Sequence, residues 1–93
     1  MEIVQYDNEK NGIFKAKNGT TEVGEMTYVW AGDNKIIIDH TGVRPDFESR
    51  GVGTQMVMKA VEFARDKNIK ILPLCPFAKN VFMKNKDIHD VLD

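Results

Sequence analysis

This chain of 93 residues is poor in several features, and each scarcity excludes a class of protein. A single cysteine, Cys75, cannot form an intramolecular disulfide, which excludes a disulfide-rich secreted scaffold. Apolar runs such as Ile36-Ile37-Ile38 are far shorter than the roughly 20 residues of a membrane helix. The N-terminal Met1-Glu2-Ile3-Val4-Gln5 lacks the basic and long apolar regions of a secretory signal. We therefore expect a cytoplasmic protein with no membrane segment.

An excess of charge of one sign is also missing. The 13 Lys and Arg residues nearly balance the 14 Asp and Glu residues, which gives a net charge of -1. The chain therefore has no strong overall field that would attract nucleic acid or anionic lipid, and we expect neither partner. The length and the 42% hydrophobic content fit one globular domain spanning residues 1–93.

The first half of the chain has the pattern of antiparallel strands. Asn18-Gly19 and Ala31-Gly32-Asp33-Asn34 contain residues that tolerate positive φ, so both predict hairpin turns. Around these turns we predict four strands, over Met1–Tyr6, Ile13–Lys17, Thr20–Trp30 and Lys35–Val43. The apolar and β-branched start of the fourth strand predicts a central strand that is buried on both faces.

The second half changes to helical periodicity. From Val52 to Lys67, apolar residues recur every three or four positions, which predicts an amphipathic helix. Ile69–Leu74 follows as a short strand at a sheet edge, because Pro73 cannot donate to a ladder. Phe77–Asn85 is expected to form a second helix, and the rest of the chain a polar end with His89 on the surface.

These elements predict an α+β fold with a mixed, mostly antiparallel sheet of about five strands and two helices. A strand, helix, strand succession gives one parallel pair, formed by the fourth and fifth strands. Binding sites favour the carboxyl ends of parallel strands, which here carry His40-Thr41-Gly42-Val43 and Leu74-Cys75-Pro76.

The loop from Arg44 to Thr54 leads directly into the first helix and carries two glycines. Free backbone N–H groups and the helix dipole at such a start attract an anion such as a phosphate. Gly51 and Gly53 would permit close approach, and Arg44 and Arg50 would add positive charge. The alternative is a glycine-eased helix start without a ligand. No nucleotide triphosphatase or dinucleotide fingerprint fits the loop.

The chain resembles the GNAT superfamily of acetyl-CoA-dependent acyltransferases, and in particular its small single-domain bacterial members. The resemblance covers nearly the whole chain, through His40-Thr41-Gly42-Val43, Arg50-Gly51-Val52-Gly53, Ala60-Val61-Glu62-Phe63-Ala64 and Leu72-Pro73-Leu74-Cys75-Pro76-Phe77. The pyrophosphate motif of the superfamily falls on Glu48-Ser49-Arg50-Gly51-Val52-Gly53. Both glycines match, whereas Glu48 replaces the usual Gln or Arg. The resemblance implies a minimal GNAT-like fold.

The resemblance also implies a set of acetyl-CoA contacts. The pyrophosphate would bind the loop and helix start, the pantetheine arm would lie between the two parallel strands, and the second helix would flank it. The expected cofactor-binding residues are Thr41, Gly42, Val43, Arg44, Ser49, Arg50, Gly51, Val52, Gly53, Thr54, Phe77, Asn80 and Lys84. The second helix lacks the tyrosine with which many members protonate the CoA thiolate. The two helices that follow the first strand in larger members are also missing, so the acceptor site should be open or borrowed from a partner.

His40 and Cys75 are the candidate catalytic residues. Acyl transfer to an amine needs a group that takes up a proton near neutral pH, and imidazole suits that task. Cys75 is either a small buried hydrophobe or a reactive thiol before a helix N-terminus. The pair would support an acetyl-cysteine intermediate, and direct attack by the amine is the rival route. Asp39, His40 and Cys75 do not have the spacing of a metal site, so no metal is expected.

The predicted function is therefore transfer of an acetyl group from acetyl-CoA to an amine, with a protein lysine or a polyamine as candidate acceptors. The alternatives are an acyl-CoA-binding or sensing module that transfers little, and a small interaction protein without a ligand. We expect a monomer or a weak dimer.

Overall fold

The computed structural model describes all 93 residues, Met1–Asp93. The chain forms five strands and two α-helices: β1 Glu2–Asp7, β2 Asn11–Asn18, β3 Thr21–Trp30, β4 Lys35–Val43, α1 Val52–Lys67, β5 Lys70–Pro73 and α2 Pro76–Lys84. Two 3₁₀ segments complete it, Pro45–Arg50 before α1 and Lys86–Val91 after α2. Neither α-helix has the length and the apolar composition of a membrane-spanning segment.

The strands form one sheet in the order β1-β2-β3-β4-β5. The first four strands are antiparallel neighbours, and β4 pairs with β5 in parallel. The predicted α+β fold, a mixed five-stranded sheet with one parallel pair and two helices, is confirmed. Both turn predictions also hold, since Gly19 and Gly32 adopt positive φ between the strands.

The core lies on one side of the sheet, between the strands and α1. Ile36 and Ile38 of β4 are fully buried against this core, whereas Ile37 between them is only partly buried. The prediction that β4 is buried on both faces is wrong. No helix packs on the second face, so strand alternation places every other residue of β4 on a partly solvated surface.

A β-bulge interrupts the pairing of β3 with β4. Thr27 opposes His40 and Tyr28 opposes Ile38, so Asp39 is an extra residue in β4. The parallel pairing with β5 ends at the same place, with Ile38 opposite Pro73. Such a bulge bends its strand. Beyond Ile38, β4 therefore pairs with β3 alone, and a gap opens between β4 and the end of β5.

The end of the chain is structured, contrary to the polar end expected from the sequence. Ile88 and Val91 of the second 3₁₀ segment are buried in the main core. Leu92 forms a bridge with Ile71, and the Asp93 N–H donates to the Ile71 carbonyl at 2.8 Å. In the sequence, the burial of this segment is indicated only by Ile88, Val91 and Leu92, which stand among charged residues. The segment is too short for their spacing to show a helical period. The tail thus covers the outer edge of β5.

Candidate functional site

A cleft of ≈ 330 Å³ lies where the gap beside β4 meets the start of α1. Its lining comes from the end of β4, the loop, the first turn of α1 and the first turn of α2. The lining residues are Thr41, Val43, Glu48, Gly51, Gly53, Thr54 and Phe77. The cleft therefore joins the two features that the sequence singled out, the parallel strand ends and the glycine-bearing loop.

The start of α1 presents unpaired backbone N–H groups to this cleft. Gly51 is the N-cap residue and has a φ of 73°. As a glycine it has no side chain that could accept a capping hydrogen bond from these amides. The first intrahelical bond runs from the Gln55 N–H to the Gly51 carbonyl at 3.0 Å, so the three preceding amides have no helical acceptor. No acidic residue stands in the first turn. This end of the dipole is therefore free to stabilise an anion.

Glycine is needed at the two loop positions, Gly51 and Gly53, for different structural reasons. Gly51 needs glycine for its left-handed backbone, and a Cβ there would meet no atom within 4 Å. A Cβ at Gly53 would lie 2.5 Å from Phe77 Cζ, so Gly53 lets the aromatic ring pack on α1. The sequence interpretation of Gly53 as a point of close anion approach is therefore incomplete. The ring it accommodates is itself 40% exposed and forms a wall of the cleft.

The charged residues of the loop are placed differently from the sequence expectation. The Arg50 guanidinium lies over the Phe47 ring at 4.8 Å, and Arg44 Nε pairs with Asp46 at 3.6 Å. Neither arginine lines the cleft, whereas Glu48 does. Ser49, Asn80 and Lys84 are exposed outside the lining, so they can reach a ligand only beyond the cleft mouth.

The end of β4 offers further backbone groups on the side of the gap. The Arg44 N–H donates to the Val23 carbonyl at 2.9 Å. This bond shows which residues of β4 direct their backbone hydrogen bonds to β3. Because bonded and non-bonded pairs alternate in antiparallel strands, the backbone groups of Thr41 and Val43 face away from β3. Those of Gly42 face β3. Thr41 and Val43 thus line the gap with both their backbone and their side chains.

His40 and Cys75 do not meet. Cys75 Sγ lies 3.2 Å from Thr41 Oγ1, on the helix side of the sheet. The His40 ring lies over Gly42, whose added Cβ would be 3.2 Å from His40 Nε2, so it occupies the opposite face. The prediction that the two side chains act as a hydrogen-bonded pair is wrong. Both stand near the strand ends, but adjacent strand residues point to opposite faces, which separates His40 from the residues around Cys75.

Cys75 instead has a structural role that its hydrogen bonds define. It is the N-cap residue of α2, and its Sγ accepts from the Ala78 N–H at 3.4 Å. Only 7% of the residue is exposed. Together with the contact to Thr41, this cap fixes the start of α2 beside the gap.

Asp39 stands at the split between β4 and β5, and from the sequence it was considered only as a metal ligand. It is the bulged residue of β4, and its Oδ1 accepts from Thr27 Oγ1 at 2.7 Å on the face that carries His40. A carboxylate that interrupts an apolar strand run was the available signal. It pointed to the place where the sheet opens.

Comparisons with known proteins agree with this architecture. Residues 13–91 match the family model of the GCN5-related N-acetyl-transferases. A Staphylococcus aureus protein described as a GCN5-like N-acetyltransferase has 35% identity and a TM-score of 0.78, over 99% of this chain and 87% of that one. No curated protein matches the chain significantly.

Two more distant structures share the fold. Tetrahymena GCN5 has 20% identity and a TM-score of 0.67, and the match covers 83% of this chain and 51% of that one. An aminoglycoside N-acetyltransferase solved with CoA has 12% identity and a TM-score of 0.68, over 89% of this chain and 88% of that one. The class is defined by an α+β sheet that splits beside a helix start with unpaired amides. The family match over residues 13–91 decides the assignment. The chain belongs to the GCN5-related N-acetyltransferase family.

Proposed function

We propose that the protein binds acetyl-CoA in this cleft and transfers the acetyl group to an amine. The observation that carries the proposal is the meeting of the β4 gap with the unpaired amides at the start of α1. The pyrophosphate would accept from the amides of Val52, Gly53 and Thr54. The pantetheine arm would pass Phe77 and bond to the free backbone groups of Thr41 and Val43.

Direct attack by the amine fits the geometry better than an acetyl-cysteine. The amine nitrogen bonds to the thioester carbon while the carbon–sulfur bond breaks, and one amine proton ends on the departing CoA sulfur through solvent. Free backbone N–H groups of β4 would stabilise the carbonyl oxygen as it gains charge. His40 serves as the base in this proposal, because it borders the gap on the open side of the sheet. Cys75 has no neighbouring base and packs against Thr41.

A CoA-binding module with little transferase activity is the second candidate. It is favoured by Glu48, a carboxylate in the lining of a cleft proposed to hold a pyrophosphate. The lack of a tyrosine on α2 favours it as well, since the proton donors of that helix, Lys79 and Lys84, do not line the cleft.

Two measurements separate these functions. Amide NMR shifts on titration with CoA should be largest at residues 51–54 and at Thr41 and Val43. Release of free thiol from acetyl-CoA, with and without a panel of amines, then distinguishes a transferase from a binding module. Shifts that avoid residues 51–54 would refute the binding site, and amine-independent thiol levels would support the module.

The glycines provide a matched pair of variants. Gly51 and Gly32 both have positive φ, at 73° and 77°, and neither has an atom within 4 Å of an added Cβ. Valine at either position therefore imposes the same kind of backbone strain. We expect Gly51→Val to lose CoA binding and Gly32→Val, in the β3–β4 turn, to keep it. Equal affinities in the two variants would contradict the site.

A further inference from the structure

The outer side of α2 combines exposed apolar and basic residues. Ala78, Val81 and Phe82 are the buried residues of this helix. Its other side is exposed along the whole length and carries Pro76, Phe77, Lys79, Asn80, Met83 and Lys84. We call these six residues, together with Leu74 just before the helix, the α2 surface. It contains no acidic residue, and neither of its lysines forms a salt bridge.

The apolar residues of the α2 surface stand out from the rest of the exterior. Large hydrophobic residues are exposed at five positions of the chain, and three of them, Leu74, Phe77 and Met83, belong to this surface. Met83 is 71% exposed. Single exposed hydrophobic residues are common, whereas a group of them beside a ligand cleft is typical of an interaction site.

The α2 surface adjoins the cleft proposed to hold the thioester. Phe77, in the first turn of α2, belongs to the surface and also forms a wall of the cleft. The rest of the surface extends from this ring along a helix of nine residues, which is about 13 Å. A partner seated on the α2 surface would therefore stand at the edge of the cleft.

The cleft suits a pantetheine arm with one phosphate better than the whole of CoA. Its volume of ≈ 330 Å³ is near the lower end of the roughly 300–1,000 Å³ of ligand pockets. Glu48 is in its lining, and no lysine or arginine is. A pyrophosphate brings two negative charges to the unpaired amides, whereas a phosphodiester brings one. A donor whose arm ends in a phosphodiester is therefore repelled less by Glu48.

We propose that the protein docks an acidic acyl carrier protein on the α2 surface and takes the acetyl group from the serine-linked phosphopantetheine arm of that carrier. This inference rests on the proposed function, because the same cleft must hold the arm. Lys79 and Lys84 would pair with carboxylates of the carrier, and Leu74 and Met83 would pack against its apolar residues.

The transfer step is the one proposed for acetyl-CoA. The amine nitrogen bonds to the thioester carbon, and the carbon–sulfur bond breaks. One amine proton ends on the pantetheine sulfur through solvent, so the carrier leaves with a free thiol. The step needs no oxidant, reductant or further reactant.

Other occupants match the α2 surface less well. A second copy of the chain would bring lysines against lysines in a two-fold interface. The 3′-phosphate of free CoA would pair with a lysine but would leave Leu74 and Met83 uncovered. An acidic carrier supplies both the carboxylates and an apolar contact, and its arm explains why the surface adjoins the cleft.

Titration of the full chain with four probes tests the docking. The probes are an acyl carrier protein with its arm, the same carrier without the arm, phosphopantetheine and CoA. We expect the armed carrier to have a Kd at least about tenfold below that of phosphopantetheine, with a difference that shrinks as salt rises. The carrier without its arm should shift the amides of residues 76–84 in NMR spectra and leave those of residues 51–54 unchanged.

Two substitutions change the α2 surface outside the residues proposed to contact CoA. Lys79→Glu should raise the Kd of the armed carrier about fivefold at low salt, and Met83→Gln about threefold. Both should change the Kd of CoA by less than about twofold. Lys59→Glu is the control, because Lys59 is an exposed lysine of α1 that borders a different cleft, beside Glu2 and Ile3 of β1.

Three results would overturn the proposal. They are an armed carrier that binds no more tightly than phosphopantetheine, equal effects of Lys79→Glu and Lys59→Glu on carrier binding, and a Lys79→Glu protein that loses as much affinity for CoA as for the carrier. The last result would assign the lysine to the 3′-phosphate of CoA. Failure of the proposed function looks different, since neither CoA nor the armed carrier would then shift residues 51–54.

Discussion

Replacing Glu48 by glutamine should tighten the binding of CoA. Glu48 lines the cleft beside Gly51 and Thr54, close to the unpaired amides proposed to hold the pyrophosphate. Glu48 forms no salt bridge with the nearby arginines, since the Arg50 guanidinium lies over the Phe47 ring and Arg44 pairs with Asp46. Two negative groups would therefore share one cleft, and the glutamine keeps the shape of the side chain while removing its charge.

The size of the effect follows from Coulomb's law. Two unit charges 4 Å apart interact by about 1 kcal/mol in water. A carboxylate at about twice that distance from a doubly charged pyrophosphate opposes binding by about the same amount, which is about fivefold in Kd. The Debye length of about 8 Å at 0.15 M salt reduces this effect roughly threefold in free energy. The gain should thus be about fivefold at low salt and less than about twofold at physiological salt.

Isothermal titration of CoA at two salt concentrations measures this effect. Glu62→Gln is the control, because Glu62 lies ten residues further along α1, about 15 Å from Val52. A Glu48→Gln protein that binds CoA no more tightly than the wild type at low salt would refute the reasoning. Weaker binding in that variant would show that Glu48 accepts a hydrogen bond from the ligand or holds the loop.

Three further predictions concern packing, chemistry and pH. Gly53→Ala should destabilise the fold by about 1–3 kcal/mol in urea unfolding, because its Cβ would lie 2.5 Å from the Phe77 ring, and most of the loss should disappear in a Phe77→Ala background. Acetyl-CoA without an amine should leave the intact mass unchanged and Cys75→Ser should keep transfer activity, whereas an acetyl group on Cys75 would contradict direct attack. Burial raises the pKa of Asp7, but hydrogen bonds from Tyr28, Glu9 and Trp30 outweigh burial and lower the pKa, so its stabilisation is present above pH 3.8 and is lost as the pH falls further. Acid titration of Asp7→Asn should therefore show a shallower loss of unfolding free energy than the wild type, and identical curves would contradict this.

The strands, helices and their order could be predicted because local patterns determine them. The periodicity of Val52–Lys67 and the turn residues at Gly19 and Gly32 act over a few positions, and the structure keeps all of them. The parallel pairing followed from the strand, helix, strand order. Residues of the cleft such as Thr41 and Phe77 were also found, since motif spacing places them near the ends of elements.

The errors arise where one residue changes the face of a strand. Simple alternation cannot show a bulge, and the extra residue Asp39 reverses which later residues of β4 point to the helices. Thr41 therefore faces Cys75, and His40 faces the open side. The burial of β4 was overestimated for a related reason, because an apolar run does not tell whether a second layer of helices exists.

The same bulge gives the site two separate sides. On the helix side, Thr41 and Val43 line the cleft with the unpaired amides of α1, an environment for an anion. On the opposite side of the sheet, Asp39 accepts a hydrogen bond from Thr27 and the His40 ring lies over Gly42. The two sides meet at the split between β4 and β5, so in the proposed reaction a thioester held on one side would be attacked from the other. Deleting Asp39 would leave Thr27 opposite His40 and Met26 opposite Thr41, so Thr41 should keep its side of the sheet, but β4 would lose the bend that the bulge gives it beside β5. We therefore expect the deletion to narrow the gap and weaken CoA binding, whereas Asp39→Asn, which keeps the bulge, should leave CoA binding intact. Retention of CoA affinity after the deletion would show that the bulge does not create the site.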